Sequence, residues 1–388
     1  MWSYPNPRNL KGTELCDTLI VCGNHVIIFS VKHSRLRGHP DDMHRSRWTR
    51  NAVENSIKQV YGAGRHLPRM ERVIRSDGSE GLALPEPSKR KVHLVAVALG
   101  GDGTVPLSAR DDGKGVVHVL DDRSAEILLE ELDAISDFVD YLAAREEFVR
   151  SGQAPADEQR EEDVLAAYLI GRRSFSPESG ESIEPPSGLW SRLSRDPAFL
   201  RRKEADRLSY GWDLFIDKLW EDGRRTDIGA ALTLDQRETA IRRMALENRF
   251  QRRVLMKCFE EFHRDGRSGG RMTVSQSGVA YVFLALPRNV PRDFRMKQLA
   301  LRCFVACHKT GKAEVVGLAT ESYERDAPWS LDVSYLYRPD WSDEDSSHAE
   351  QISRELGYFN NPPSGPRRFE EYPRPDDDLQ QGDVSSIG

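Results

Sequence analysis

The chain has 388 residues, enough for two domains and a tail. Apolar residues at 38% suffice for a sizeable core, charged residues at 30% point to a soluble protein, and no apolar run approaches the roughly 20 residues needed to cross a bilayer. The net charge of −6 does not advertise a nucleic-acid binder, five cysteines argue against a disulfide framework, and the first residues lack the basic and apolar regions of a signal peptide, so a cytoplasmic location is expected.

In chain order, a first turn of helix is expected to end at Glu14 and Asp17. Two apolar strands follow, 18–22 and 26–32, joined by the Gly23-Asn24 turn. Alternation places Val26, Ile28, Ser30 and Lys32 on one sheet face. An acid at the head of one strand and a lysine at the tail of its hairpin partner therefore converge. A metal-dependent phosphodiesterase needs that pair: the carboxylate holds a hard cation, and the lysine steadies the attacking water and the charge growing on phosphorus. A helix over 47–63 sets Ala52, Ser56, Gln59 and Ala63 on one face, small residues suited to close packing on a sheet. Arginines and histidines crowd residues 33–75, and Arg35, Arg47, Arg50 and Lys58 are the candidates for contacting a phosphate backbone. A solvated helix face explains such a run equally well.

Farther on, 91–99 reads as a buried central strand and 116–120 as another. One amphipathic helix is expected over 124–148, N-capped by Asp121 or Ser124, and a shorter one over 161–171. The Ser-, Pro- and Gly-rich stretch 172–188 has the composition of a linker. Beyond it lie helices 197–222 and 234–263, the latter with Thr233 as N-cap, strands 278–286, 313–320 and 333–337, and a helix over 292–310. This is an α+β second domain without a chemical motif. From residue 339 apolar residues thin out, and composition predicts a disordered acidic tail over 339–388.

The first 70 residues resemble the PD-(D/E)XK nuclease superfamily, and within it the restriction-endonuclease-like and NERD-type proteins; the likeness extends loosely to about residue 170. In that pattern an acid precedes a hairpin, an acid-x-Lys triplet ends its second strand, and the next helix carries a glutamine. Asp17 matches the acid, Lys32 the lysine, Gln59 the glutamine, and Glu14 the upstream helical acid of many members. The resemblance implies an α/β fold over 1–171, a restriction-endonuclease-like mixed sheet flanked by helices, followed by the α+β domain over 189–338. It also implies Mg²⁺ or Mn²⁺ held by Asp17 and Glu14, with Asp17, Lys32 and Gln59 as the catalytic set. The expected activity is hydrolysis of nucleic-acid phosphodiesters, DNA first, in restriction, repair or defence. A protein partner for the second domain is in keeping, and a membrane is not. The sequence departs from the pattern at Ser30, where the triplet calls for an acid. A neutral serine is a poor ligand for a hard cation, so a carboxylate must come from Glu14, Asp41, Asp42 or Glu54, or the fold binds nucleic acid or protein without cutting.

Two further strings have bland explanations. The run Gly100-Gly-Asp-Gly-Thr104 is similar to the phosphate-binding signature of lipid and NAD kinases, but no helix is expected directly after it, so a turn is the better reading. Cys303 and Cys307, at helical spacing, have no second ligand pair close in sequence and are expected to be small buried residues rather than zinc ligands.

Overall fold

A computed structural model describes residues 3–36, 42–101, 103–152, 159–175, 185–223, 234–264, 268–324, 327–360 and 369–374. The chain forms two compact units, 1–196 and 197–388. Both are α/β, each a mixed sheet flanked by helices.

In the first unit the strands are β1 (Ser3–Pro5), β2 (Thr18–Cys22), β3 (His25–His33), β4 (Arg72–Ile74), β5 (Glu80–Ala83), β6 (Lys91–Leu99), β7 (Arg110–Asp111) and β8 (Val116–Asp121). The main sheet runs β1-β2-β3-β6-β8-β7, and β4 and β5 pair separately. The β2–β3 hairpin is antiparallel about Gly23 and Asn24, while β3, β6 and β8 lie parallel. Parallel neighbours need covered faces, which is why β6 and β8 are apolar almost throughout. Helices α1 (Asp42–Trp48) and α2 (Asn55–His66), joined by a π turn over Thr49–Glu54, cover one face. Val26, Ile28, Ala96, Ala98, Val117 and Val119 meet Ala52, Ile57, Val60 and Ala63 there.

The opposite face carries His25, Phe29, His93 and His118 and is met by α4 (Ile135–Arg150), with Phe29 stacked on Phe138. The single helix expected over 124–148 is two. Helix α3 (Asp122–Glu131) ends where Leu132 leaves helical geometry, and α4 restarts at Ile135. Asp121 is the N-cap, and Ser124 closes the capping box. A buried trio ties α4 to α5 (Glu161–Ile170): Arg145 donates to Glu161 Oε1 at 3.1 Å and Tyr141 donates to the same oxygen at 2.6 Å. Phe175 packs on Tyr141, Phe148 and Tyr168. The short helix α6 (Leu189–Leu193) is tied by Asp163, which accepts from the Gly188 and Trp190 amides. Both ends of the linker-like stretch are thus packed into this unit, and its middle, 176–184, lies outside the described residues.

The second unit holds α7 (Pro197–Asp206), α8 (Tyr210–Gly223), α9 (Leu234–Ala245), α10 (Arg249–Arg264), β9 (Gly269–Val274), β10 (Ala280–Leu286), α11 (Arg292–Thr310), β11 (Glu314–Glu321), β12 (Asp332–Tyr337) and α12 (Asp343–Leu356). Its sheet order is β12-β11-β10-β9, with only β10 and β11 parallel. Helix α11 covers one face through Leu299, Cys303, Ala306 and Cys307. Trp212 of α8 and Phe259 of α10 meet Phe283 on the other.

Three expectations need correction here. The long helix over 234–263 breaks between Ala245 and Arg249, where the Asn248 side chain accepts from the Gln251 amide and caps α10. The helix over 197–222 is interrupted by a 3₁₀ turn at Arg207–Ser209. The acidic tail is not uniformly disordered: α12 starts at a Ser342–Asp345 capping box and buries Ala349 and Ile352. Thr233 and residues 375–388 lie outside the described residues.

Candidate functional site

The residues singled out around the hairpin meet at the C-terminal end of β3. Asp17 directly precedes β2, and its backbone amide donates to the Phe29 carbonyl, which fixes it beside the end of β3. Its carboxylate Oδ2 accepts from the Val31 amide at 2.7 Å and from Lys32 Nζ at 3.4 Å. Lys32 and Asp17 are partly exposed, with side-chain exposures of 34% and 27%, so the pair is open to a ligand.

Ser30 is fully buried on the same face. Its hydroxyl donates to Gln59 Oε1 at 2.8 Å, and Gln59 Nε2 donates to Glu14 Oε1 at 3.4 Å. Ser56, one turn earlier on α2, donates to the Ser30 carbonyl at 2.7 Å and pins the helix to the strand. Gln59 therefore occupies the space beside the triplet's missing acid, and its amide reaches out to a second carboxylate. Glu14 does not sit on a helix, as expected from sequence. It lies in an extended segment bridged to Arg8, which in turn bridges to Ile74. The order Pro5-Asn6-Pro7 disfavours helix, and β1 pairs with β2 instead.

The other candidate carboxylates are not joined to this cluster. Glu54 is exposed and ion-paired with Arg110 at 2.9 Å. Asp41 and the Asp42 side chain lie outside the described residues. Asp17 Oδ1 and Glu14 Oε2 have no hydrogen-bond partner among the described residues. The donor set available for a cation is thus two carboxylate oxygens, hard ligands of the kind Mg²⁺ takes together with several waters.

Arg35 follows β3, Arg47 lies on α1, Arg50 in the π turn and Lys58 on α2, next to Gln59. All four are exposed, and none has an ion-pair partner among the described residues. Cys16, buried beside Asp17, is no nucleophile: burial first, then the Asp17 and Glu14 charges, push its thiol up to about 12. The Gly100–Gly101 amides donate to the Asp122 carboxylate at 2.9–3.1 Å, so they are satisfied within the protein. A Cβ on Gly100, at φ +87°, would lie 2.4 Å from the Ser34 carbonyl oxygen, so the glycine is required by close packing of two backbones. Asp102 lies outside the described residues. Cys303 and Cys307 are buried and unpaired with other cysteines, and burial raises Cys303 to about 12.

The chain matches no family model, no curated protein and no solved structure.

Sequence reasoning missed a second cluster on the opposite face of the same sheet. His93 of β6, His118 of β8 and Glu146 of α4 are buried together, with His25 Nδ1 of β3 2.8 Å from His93 Nε2. Its signal was faint: a lone histidine within each of two apolar strands.

Proposed function

We propose that the first unit is a divalent-metal-dependent nuclease that hydrolyses nucleic-acid phosphodiesters, with DNA the favoured substrate. The observation that carries this reading is the contact between Asp17 and Lys32 at the end of β3, with Glu14 brought to the same end by Gln59. Asp17 and Glu14 would hold Mg²⁺ or Mn²⁺, which supplies a polarised phosphoryl oxygen and an activated water. Lys32 orients that water and offsets the negative charge that develops on the phosphoryl oxygens. Gln59 is a positioning residue, holding Glu14 through one end of its amide and Ser30 through the other. Arg35, Arg47, Arg50 and Lys58, all exposed, would supply the phosphate contacts.

The test is incubation of supercoiled plasmid, single-stranded DNA and RNA with the full chain. Nicking or degradation in Mg²⁺ or Mn²⁺, abolished by EDTA, is the expected result. No cleavage of any of the three in either ion overturns the reading.

One observation favours a second reading, a nuclease fold that binds nucleic acid or a protein without cutting. Ser30 is a buried neutral group where an acid would complete the site, and among the described residues no three-ligand cluster forms around Lys32. Salt-dependent DNA binding without cleavage would decide for it.

A further inference from the structure

We propose that His93, His118 and Glu146 form a metal site for a borderline divalent transition ion, Zn²⁺ by its ligand chemistry, separate from the hairpin site and on the other face of the sheet. Two imidazoles and one carboxylate are a standard zinc donor set. The three ligand atoms lie within 4.8 Å of one another, and all three residues are buried.

His118 Nε2 is 3.4 Å from Glu146 Oε1, close to the ligand–ligand spacing of about 3.3 Å that zinc bonds of about 2.0–2.1 Å impose in a tetrahedron. His93 Nδ1 lies 2.6 Å from the same oxygen and has to open by roughly 0.7 Å to reach that spacing. Three protein ligands leave one position for a water. His118 is fully buried, and its Nδ1, the ring nitrogen away from Glu146, has no partner among the described residues.

Around His93 and Glu146 the neighbouring residues are arranged as a metal's outer shell would be. Metal-bound histidines usually donate their second ring N–H to a partner that fixes the ring. His25 Nδ1 lies 2.8 Å from His93 Nε2, with the ring centroids 5.1 Å apart and the planes 8° from parallel. A neutral His25 with its proton on Nε2 can accept at Nδ1 from His93. Arg150 donates to Glu146 Oε2 at 2.9 Å, which neutralises the far oxygen and leaves Oε1 facing the imidazoles.

An ion on His93 Nδ1 and His118 Nε2 takes the nitrogens that face Glu146, so both neutral rings carry their proton on the other nitrogen, and that of His93 faces His25.

Zn²⁺ titration of the chelator-treated full chain, in competition with a chromophoric chelator, tests this directly. Stoichiometric binding is expected, and Co²⁺ in its place should give the intense visible absorption of a tetrahedral site. His118→Ala should abolish binding, and His25→Ala should weaken it by about 10–100-fold, as loss of an outer-shell partner does. Asp17→Asn should bind Zn²⁺ as the parent does, which keeps this result independent of the nuclease reading. If His118→Ala fails to fold, the parent Co²⁺ spectrum and the His25→Ala affinity decide. Absence of stoichiometric Zn²⁺ binding by the parent, or parental binding by His118→Ala, overturns the proposal.

Discussion

Replacing Ser30 with aspartate restores the acid-x-Lys triplet, and the structure allows its consequences to be worked through. Ser30 is fully buried and donates to Gln59 Oε1. An aspartate there offers only acceptors, so the Gln59 amide must turn over and donate Nε2, giving up its contact with Glu14. Burying the carboxylate costs several kcal/mol. The charge-assisted bond from Gln59 returns about 1.5–3 kcal/mol. Lys32, two residues along the same strand face at about 7 Å, contributes about 2 kcal/mol at an effective dielectric constant near 20. The net is a metal-free destabilisation of about 1–3 kcal/mol, at about 2–4 °C of melting temperature per kcal/mol for a unit of this size. A divalent ion at 100 times its dissociation constant gives back about 2.7 kcal/mol. Thermal melts of parent and Ser30→Asp, with EDTA and with Mg²⁺, should therefore show a lower metal-free midpoint for the variant and a larger Mg²⁺-induced rise. Equal Mg²⁺ shifts in the two proteins would refute this placement of the metal.

Other outcomes follow from the packing. Gly317→Ala should destabilise the second unit by about 1–3 kcal/mol in urea unfolding, because its Cβ would stand 2.5 Å from Cys303 Sγ and 2.9 Å from Leu299. Arg145→Met should cost about 3–5 kcal/mol by the same assay, since it strands the buried Glu161 carboxylate. Glu321 is held at about 2 although burial alone would raise it, because Ser330 and Arg295 bind its charged form. Its folded pKa is below its unfolded one, so its stabilisation is complete above the usual carboxylate range and is lost as pH falls from about 4.5 towards 2. Stability measured against pH should decline over that window, and less so in Glu321→Gln.

Much of the architecture could be read from local pattern. The run 91–99 is β6, legible as a continuous apolar stretch of strand length, and the helix over 292–310 is α11, ended by Gly311 in the left-handed region. The hairpin announced itself through Gly23-Asn24, and its alternation put Ser30 and Lys32 on one face. What failed was judged on composition or on an unbroken period. The helically spaced apolar residues Leu128, Leu132, Ile135 and Phe138 run across the gap between α3 and α4, so it is invisible until tertiary packing turns the chain. Helix α12 buries only Ala349, Ile352 and Ser353, and its one local sign was the Ser342–Asp345 box. The edge strand β9 begins with two glycines and is only partly buried, which hides its period. Within the site, the pairing of Asp17 with Lys32 follows from hairpin geometry, whereas the Ser30–Gln59–Glu14 chain depends on how α2 docks. The His93–His118–Glu146 cluster unites two strands and a helix, and no sequence spacing encodes it.

The role given to Lys32 is the most direct test of the account. Single-turnover cleavage of one DNA substrate by the parent and by Lys32→Ala, at saturating Mg²⁺, isolates the step it serves. Lys32 lies at a strand end and is partly exposed, so the variant should retain the parental circular dichroism and melting curve. The account predicts a rate at least about 100-fold lower, the usual cost of removing a group that stabilises transition-state charge. Cleavage by Lys32→Ala at the parental rate would contradict it.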